Sequence, residues 1–350
     1  MRLPNGFSFQ AKRETRIITY DRILTMIIVY FILILLFSFL LIKATDILVV
    51  NFKTLSRQTR LGQFAITTFL LALATSLPEL VVGIAASLEN EPNLALGNVI
   101  GSNIANLSLV IGGAALIGGT VAVRGVFLRR DVFYAFLAGA APMMLLFDKR
   151  LGRVDGLILL ALYGFYNVLV LKEREQRLAE ARNGEEEGFI KRLLRRLNHQ
   201  GTKKEFGWLF LGIALLLFSA DMIVRIAGKI AIAFNIPLLL IGLFLVAVGT
   251  SLPELAFSLK AIRERQPAMV FGDLLGSVVA NGTLIIGLVA LISPIRIRAF
   301  SEYLLATMAF VVIFGLFYFF IRTKRKLERW EGVVLLGVYL LFILLEFLKP

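Results

Sequence analysis

Two glutamates follow prolines inside long apolar runs: Glu79 after Pro78, and Glu254 after Pro253. A carboxylate is costly in lipid, and a proline there removes a backbone donor. The chain bears both costs twice, because Ala74-Thr75-Ser76-Leu77-Pro78-Glu79-Leu80 returns as Gly249-Thr250-Ser251-Leu252-Pro253-Glu254-Leu255. The chemistry open to these segments is oxygen chemistry. Each proline ring crowds the carbonyl four residues back, that of Ala74 or Gly249, and leaves it without its helical partner. The helix kinks or breaks there, and carbonyls of that turn become available to a cation. Helical offsets of three, four and seven gather Ala72, Thr75, Ser76 and Glu79 on one face, and Ala247, Thr250, Ser251 and Glu254 repeat them. On the next apolar segment Asn98, Ser102 and Asn106 stand four apart, matched by Asp273, Ser277 and Asn281. The shell offers carboxylate, hydroxyl, amide and carbonyl oxygens, with no sulfur and no imidazole. Hard cations such as Ca2+ and Na+ want that shell.

The elements that position these groups follow from the repeat. Over 74–112 and 249–287, 17 of 39 aligned residues are identical without a gap. A sequence keeps costly residues in duplicate when they form one shared site, here between two halves. Ten apolar segments are long enough to span a bilayer, near 22–48, 62–87, 94–120, 125–147, 153–171, 206–232, 237–261, 268–293, 299–321 and 330–348. The expected fold is an all-α polytopic membrane protein of two five-helix repeats, 1–171 and 206–350, with a polar loop at 172–205 between them and broken second and seventh helices. Five helices per repeat is an odd number, so the second copy lies inverted relative to the first. Equivalent loops agree with this: one carries Glu89 and Glu91, while its copy carries Lys260, Arg263 and Arg265. Lys and Arg are nearly twice as frequent in odd-numbered loops as in even-numbered loops and termini together. This puts the odd loops and 172–205 in the cytoplasm and both termini outside. The basic residues before the first span run against that orientation. Gly97, Gly101, Gly272 and Gly276 have the small-xxx-small spacing that lets helices pack backbone to backbone.

Composition removes other functions. With 58% hydrophobic residues and a mean hydropathy of +0.82, there is no room for a separate soluble domain. The chain has no cysteine, which excludes disulfides, thiolate metal sites and thiol catalysis, and its one histidine, His199, lies in a polar stretch. No HExxH motif occurs, and Phe271-Gly272-Asp273 lacks the extra glycine of aspartyl intramembrane proteases, so no enzyme is expected. A net charge of +14 in so apolar a chain faces anionic headgroups rather than nucleic acid. The apolar run after the basic N-terminus is read as the first span, uncleaved. Asp46 and Asp221 stand three and four residues from Lys43 and Arg225 and read as structural ion pairs. Glu89 and Glu91 read as a solvated loop.

The segments ATSLPEL…GNVIGSNIAN and GTSLPEL…GDLLGSVVAN resemble the two alpha repeats of the sodium/calcium exchanger (cation/calcium antiporter) family. The motifs cover about 80 residues, and the ten-helix layout is similar over nearly the whole chain. The resemblance implies a multi-pass cell-membrane antiporter that exchanges Ca2+ for Na+, or for H+ in some branches, with no cofactor beyond the transported ions. It implies first and sixth helices that slide. It also implies a diamond of ion sites. Glu79, Glu254, Thr75, Ser76, Ser102, Thr250, Ser251 and Ser277 fall on its ligand positions, Ala72 and Ala247 on its carbonyl ligands, and Asn106 on its central amide. The chain departs twice. Asn281 stands where several calcium-transporting members carry Asp, and Asp273 stands where the first repeat has Asn98. Either a carboxylate has moved two turns along one helix face, or Asp273 caps the helix entrance; the cap is the favoured expectation.

Overall fold

The computed structural model describes residues 28–47, 76–122, 128–181, 203–263, 267–324 and 326–348. Ten helices lie among them. Helix α1 is Ile28–Ile47 and α2 is Leu77–Leu88. Helix α3 comes in three pieces: Pro92–Ala105, a π segment at Asn106–Val110, and Ile111–Gly118. Helices α4, α5 and α6 are Leu128–Leu145, Arg153–Ala181 and Lys203–Phe234. Helix α7 runs through Leu238–Leu240, a π segment at Ile241–Val246, Ala247–Thr250 and, past a break, Leu252–Arg263. Helix α8 runs through Pro267–Val279, a π segment at Ala280–Ile285 and Ile286–Ile292. Helices α9 and α10 are Phe300–Lys324 and Arg329–Phe347. Seven of these (α1, α3, α6, α7, α8, α9 and α10) are long and apolar enough to cross a membrane. The protein is therefore mostly helical and multi-pass.

One boundary differs from expectation. Helix α5 continues past 171 to Ala181. The residues it takes up, Lys172 to Ala181, are mostly strong helix formers, so the backbone stays helical beyond the apolar run.

Lipid tails give no hydrophobic drive for one helix to seek another, so contact depends on close packing. Helices α3 and α7, one from each half, touch through backbone. A Cβ at Gly97 would sit 2.0 Å from the Leu239 carbonyl oxygen, one at Gly101 2.1 Å from that of Leu243, and one at Gly242 2.3 Å from that of Leu94. Only glycine allows this approach. Phe271 of α8 and Phe317 of α9 pack with centroids 6.2 Å apart, and Phe317 continues through Phe314 to Phe310 along α9.

The repeat is visible in these contacts. Gly112 lies against Gly332, and Gly156 against Gly287. At the repeat spacing Gly112 aligns with Gly287, and Gly156 falls one residue from Gly332. Two small antiparallel ribbons repeat the pattern. Strands β1 (Val121–Ala122), β2 (Arg150–Leu151), β3 (Ile295–Arg296) and β4 (Lys326–Leu327) pair as β1 with β4 and β2 with β3. Each ribbon joins a loop of one half to a loop of the other.

Loop contacts sort into two groups. At one end, Gly118 meets Ile262 and Gly119 meets Arg329 beside the β1–β4 ribbon. At the other, the Ile297 amide donates to the Lys149 carbonyl at 3.0 Å beside β2–β3, and Arg298, just past β3, lies near Glu91 of the α2–α3 loop. Loops α3–α4, α7–α8 and α9–α10 thus share one end, and loops α2–α3, α4–α5 and α8–α9 share the other.

Candidate cation site

Helix α2 begins with Leu77-Pro78, so proline occupies a first-turn position where its missing amide costs nothing. Ser76 before it has left helical geometry, with φ −84° and ψ 4°. Ser251 has nearly the same backbone angles, φ −85° and ψ 0°, and breaks α7 just ahead of Leu252-Pro253. Glu79 and Glu254 therefore lie in the first turn of a helix, where unsatisfied amides favour negative charge. This local field offsets part of the cost of burial, and both side chains are 0% exposed.

Close packing of α3 on α7 brings the hydroxyls to these carboxylates. The Ser102 hydroxyl donates to Glu79 Oε1 at 3.3 Å and lies 3.2 Å from Thr250 Oγ1. Thr250 Oγ1 is 3.1 Å from Asn98 Oδ1 and 3.3 Å from the Ala247 carbonyl. That carbonyl also accepts the Ser251 amide at 3.0 Å. Glu79 Oε2 and both Glu254 oxygens have no hydrogen-bond partner among the described residues, and neither do the Ser76 and Ser251 hydroxyls. Buried carboxylate oxygens in that condition call for a cation or a proton.

One turn further, α3 and α8 each change to a π segment at their matched asparagines, Asn106 and Asn281. A π turn adds a residue to the helical circuit and re-aims side chains, as it does at many functional sites. Both amide atoms of Asn106 and Oδ1 of Asn281 lack partners among the described residues, and both residues are fully buried. Asn281 Nδ2 donates to Asn103 Oδ1 at 3.0 Å. Nothing in the sequence reading singled out Asn103. It has no copy in the second half, where Val278 stands, so repetition gave no signal; its polarity beside Ser102 could have.

The cap expectation for Asp273 fails. Helix α8 starts at Pro267, so Asp273 is nearly two turns inside it, where no free amide remains to cap. The side chain is 1% exposed. Ser277 is buried one turn on. Ala72 and Thr75 lie outside the described residues.

The peripheral charges are partly as expected. Lys43 pairs with Asp46 at 3.8 Å and Arg225 with Asp221 at 2.9 Å. Glu89, expected to be merely solvated, is held by Arg225 across elements. Burial pushes the Glu91 carboxyl up, opposed by the nearby Arg298 guanidinium.

A multi-pass helical bundle with buried, acidic, oxygen-lined groups at its centre is a membrane transport protein in class. Residues 29–172 and 204–348 match the family described as sodium/calcium exchanger protein. That is most of the chain, which belongs to this family and so to the cation/calcium antiporters, transporters rather than enzymes. The chain is 31% identical over 318 residues to the inner membrane protein YrbG of Escherichia coli, covering 89% of this chain and 95% of that protein. It is 29% identical over 350 residues to the sodium/calcium exchanger MaX1 of Methanosarcina acetivorans, covering 92% and 99%. Its structure is similar to that of the sodium-calcium exchanger NCX_Mj soaked with Na+ and Sr2+, with a TM-score of 0.59 and 28% identity, over 91% of this chain and 98% of that one.

Proposed function

We propose that the protein is a secondary active antiporter that exchanges Na+ for Ca2+ by alternating access. One observation carries the reading. Two Pro-Glu turns, one from each half, bury their carboxylates fully and leave three of the four oxygens without hydrogen-bond partners among the described residues. Ca2+ and Na+ compete for overlapping oxygens, so loading one excludes the other. The proposed ligands are Glu79, Glu254, Thr75, Ser76, Ser102, Asn106, Thr250, Ser251, Ser277, Asn281 and Asp273, with the Ala72 and Ala247 carbonyls. A second reading, Ca2+/H+ exchange, draws on the same carboxylates. With no cation bound they repel one another, and a proton relieves that repulsion.

The proposed architecture is ten spans in two inverted five-helix repeats. The repeat-related glycine contacts and ribbons support it, as does the sorting of loops into two ends, which alternation of ten spans requires. The end bearing β1 and β4 is proposed to be cytoplasmic, together with 172–205. Helices α1 and α6 are the proposed moving pair; they touch through Phe37 and Phe218, rings 5.8 Å apart, and expose apolar faces.

Uptake of radioactive Ca2+ into proteoliposomes, with Na+, K+ or pH gradients imposed one at a time, tests the function. Uptake driven by an outward Na+ gradient at constant pH is the expected result. Uptake that follows only the pH gradient would select proton coupling, and uptake indifferent to all gradients would refute antiport.

A further inference from the structure

A hydrogen bond between two side-chain amides joins α3 to α8 where each helix approaches its π segment. Asn281 Nδ2 donates to Asn103 Oδ1 at 3.0 Å, and the two residues are 0% and 1% exposed. The two ends of an amide are nearly the same size, so its hydrogen bonds decide which way it faces. Here the bond engages the donor of Asn281. The oxygen is what Asn281 has left to offer, and that oxygen is buried without a hydrogen-bond partner among the described residues. Asn103 directly follows Ser102, whose hydroxyl reaches Glu79 and Thr250. Neighbouring residues of α3 thus supply a hydroxyl to the carboxylate turn and an acceptor to α8. Asn106, the repeat partner of Asn281, has no such tether. Val278 stands where a copy of Asn103 would be, and both amide atoms of Asn106 lack partners among the described residues.

We propose that Asn103 is a positioning residue: by accepting from Asn281 it holds that amide with its oxygen, rather than its nitrogen, available to the cation. The proposal rests on the reading of the site as a Ca2+ site with Asn281 among its ligands. An asparagine has one end that accepts and one that only donates. Turned one way it is a ligand, and turned the other way it sets N–H groups against a positive ion. A carboxylate has no such choice, because both of its ends are oxygens. The amide at 281 therefore depends on a neighbour to settle its orientation, and a carboxylate at the same place would not.

The test is the Ca2+ dissociation constant of purified full-length protein, by calorimetry at fixed pH, around a double-mutant cycle. Asn103→Leu keeps the branched shape of the side chain and removes the acceptor. The Asn281 amide is then free to turn, and Ca2+ should bind about tenfold more weakly, the size of one hydrogen-bonding contact to a charged group. In an Asn281→Asp background either orientation offers oxygen, so Asn103→Leu should cost no more than about twofold there. A role in packing alone would cost the same in both backgrounds, and that result overturns the proposal. Wild-type affinity in Asn103→Leu overturns it as well, and so does loss of Ca2+ binding in Asn281→Asp, which keeps the oxygen. If Asn103→Leu does not fold, Asn103→Val, the residue that the other half carries, takes its place in the cycle. A wild-type protein that binds no Ca2+ fails the proposed function instead.

Discussion

Glu254→Gln removes one charge from the site and almost no volume. Neither Glu254 oxygen has a hydrogen-bond partner among the described residues, so the amide breaks no such contact and the protein should still fold. The loss falls on the ion. A hydrogen-bonding contact to a charged group is worth about 1.5–3 kcal/mol net. That predicts a Ca2+ affinity lower by about ten- to a hundredfold. Ligand stabilisation follows RT ln(1 + [L]/Kd), so at Ca2+ about 100 times the wild-type Kd the wild type gains about 2.7 kcal/mol. The variant should gain about 1.4 kcal/mol if its Kd rises tenfold, and about 0.4 kcal/mol if it rises a hundredfold. Thermal unfolding of the purified protein with and without Ca2+ measures this difference, and Ca2+ exchange in proteoliposomes should fall to background in parallel. A Ca2+-induced shift equal to that of the wild type, or near-normal exchange, would refute the shared-site reasoning.

Three further outcomes are expected. Gly101→Ala sets a methyl 2.1 Å from the Leu243 carbonyl oxygen and 2.6 Å from the Ala247 Cβ; forcing α3 off α7 should cost about 1–3 kcal/mol of stability, and unchanged thermal unfolding would show that the helix contact is looser than described. Single cysteines near Arg263 should be labelled from the cytoplasm only, and near Glu91 from outside only; labelling of both from one side would refute the inversion, and the absence of native cysteine keeps the readout clean. Asn281→Asp adds a carboxylate one turn past Ser277, with Asn103 able to turn its amide and donate to it. Ca2+ should bind about tenfold tighter, and weaker binding by calorimetry would mean that position 281 does not face the ion.

The sequence made the framework legible because lipid allows few solutions. Runs such as 299–321 and 330–348 had to be helices of spanning length, and α9 and α10 end within a few residues of those bounds. The break at Ser251 was legible because proline dictates it, and the burial of Glu79 and Glu254 because duplication marked them; the matching break expected ahead of Pro78 falls on residues outside those described. Asp273 was misjudged for a reason also present in the sequence: Pro267 is a natural first residue for a helix, and it puts position 273 well inside α8. The Glu89–Arg225 pair and the Asn103–Asn281 bond join residues far apart in the chain without a repeated partner, so neither spacing nor periodicity could reveal them. The two-residue strands are shorter than any alternation that would signal them.

The two β ribbons have a consequence for how the halves belong to each other. Each ribbon is stitched from one strand of the first half and one of the second, one ribbon at each end of the bundle, with α3 seated on α7 between them. The halves are clasped by a ribbon at each end and cemented in the middle by backbone packed on backbone. Assembly of the pair, rather than formation of the single helices, is the event that brings Glu79, Ser102 and Thr250 together.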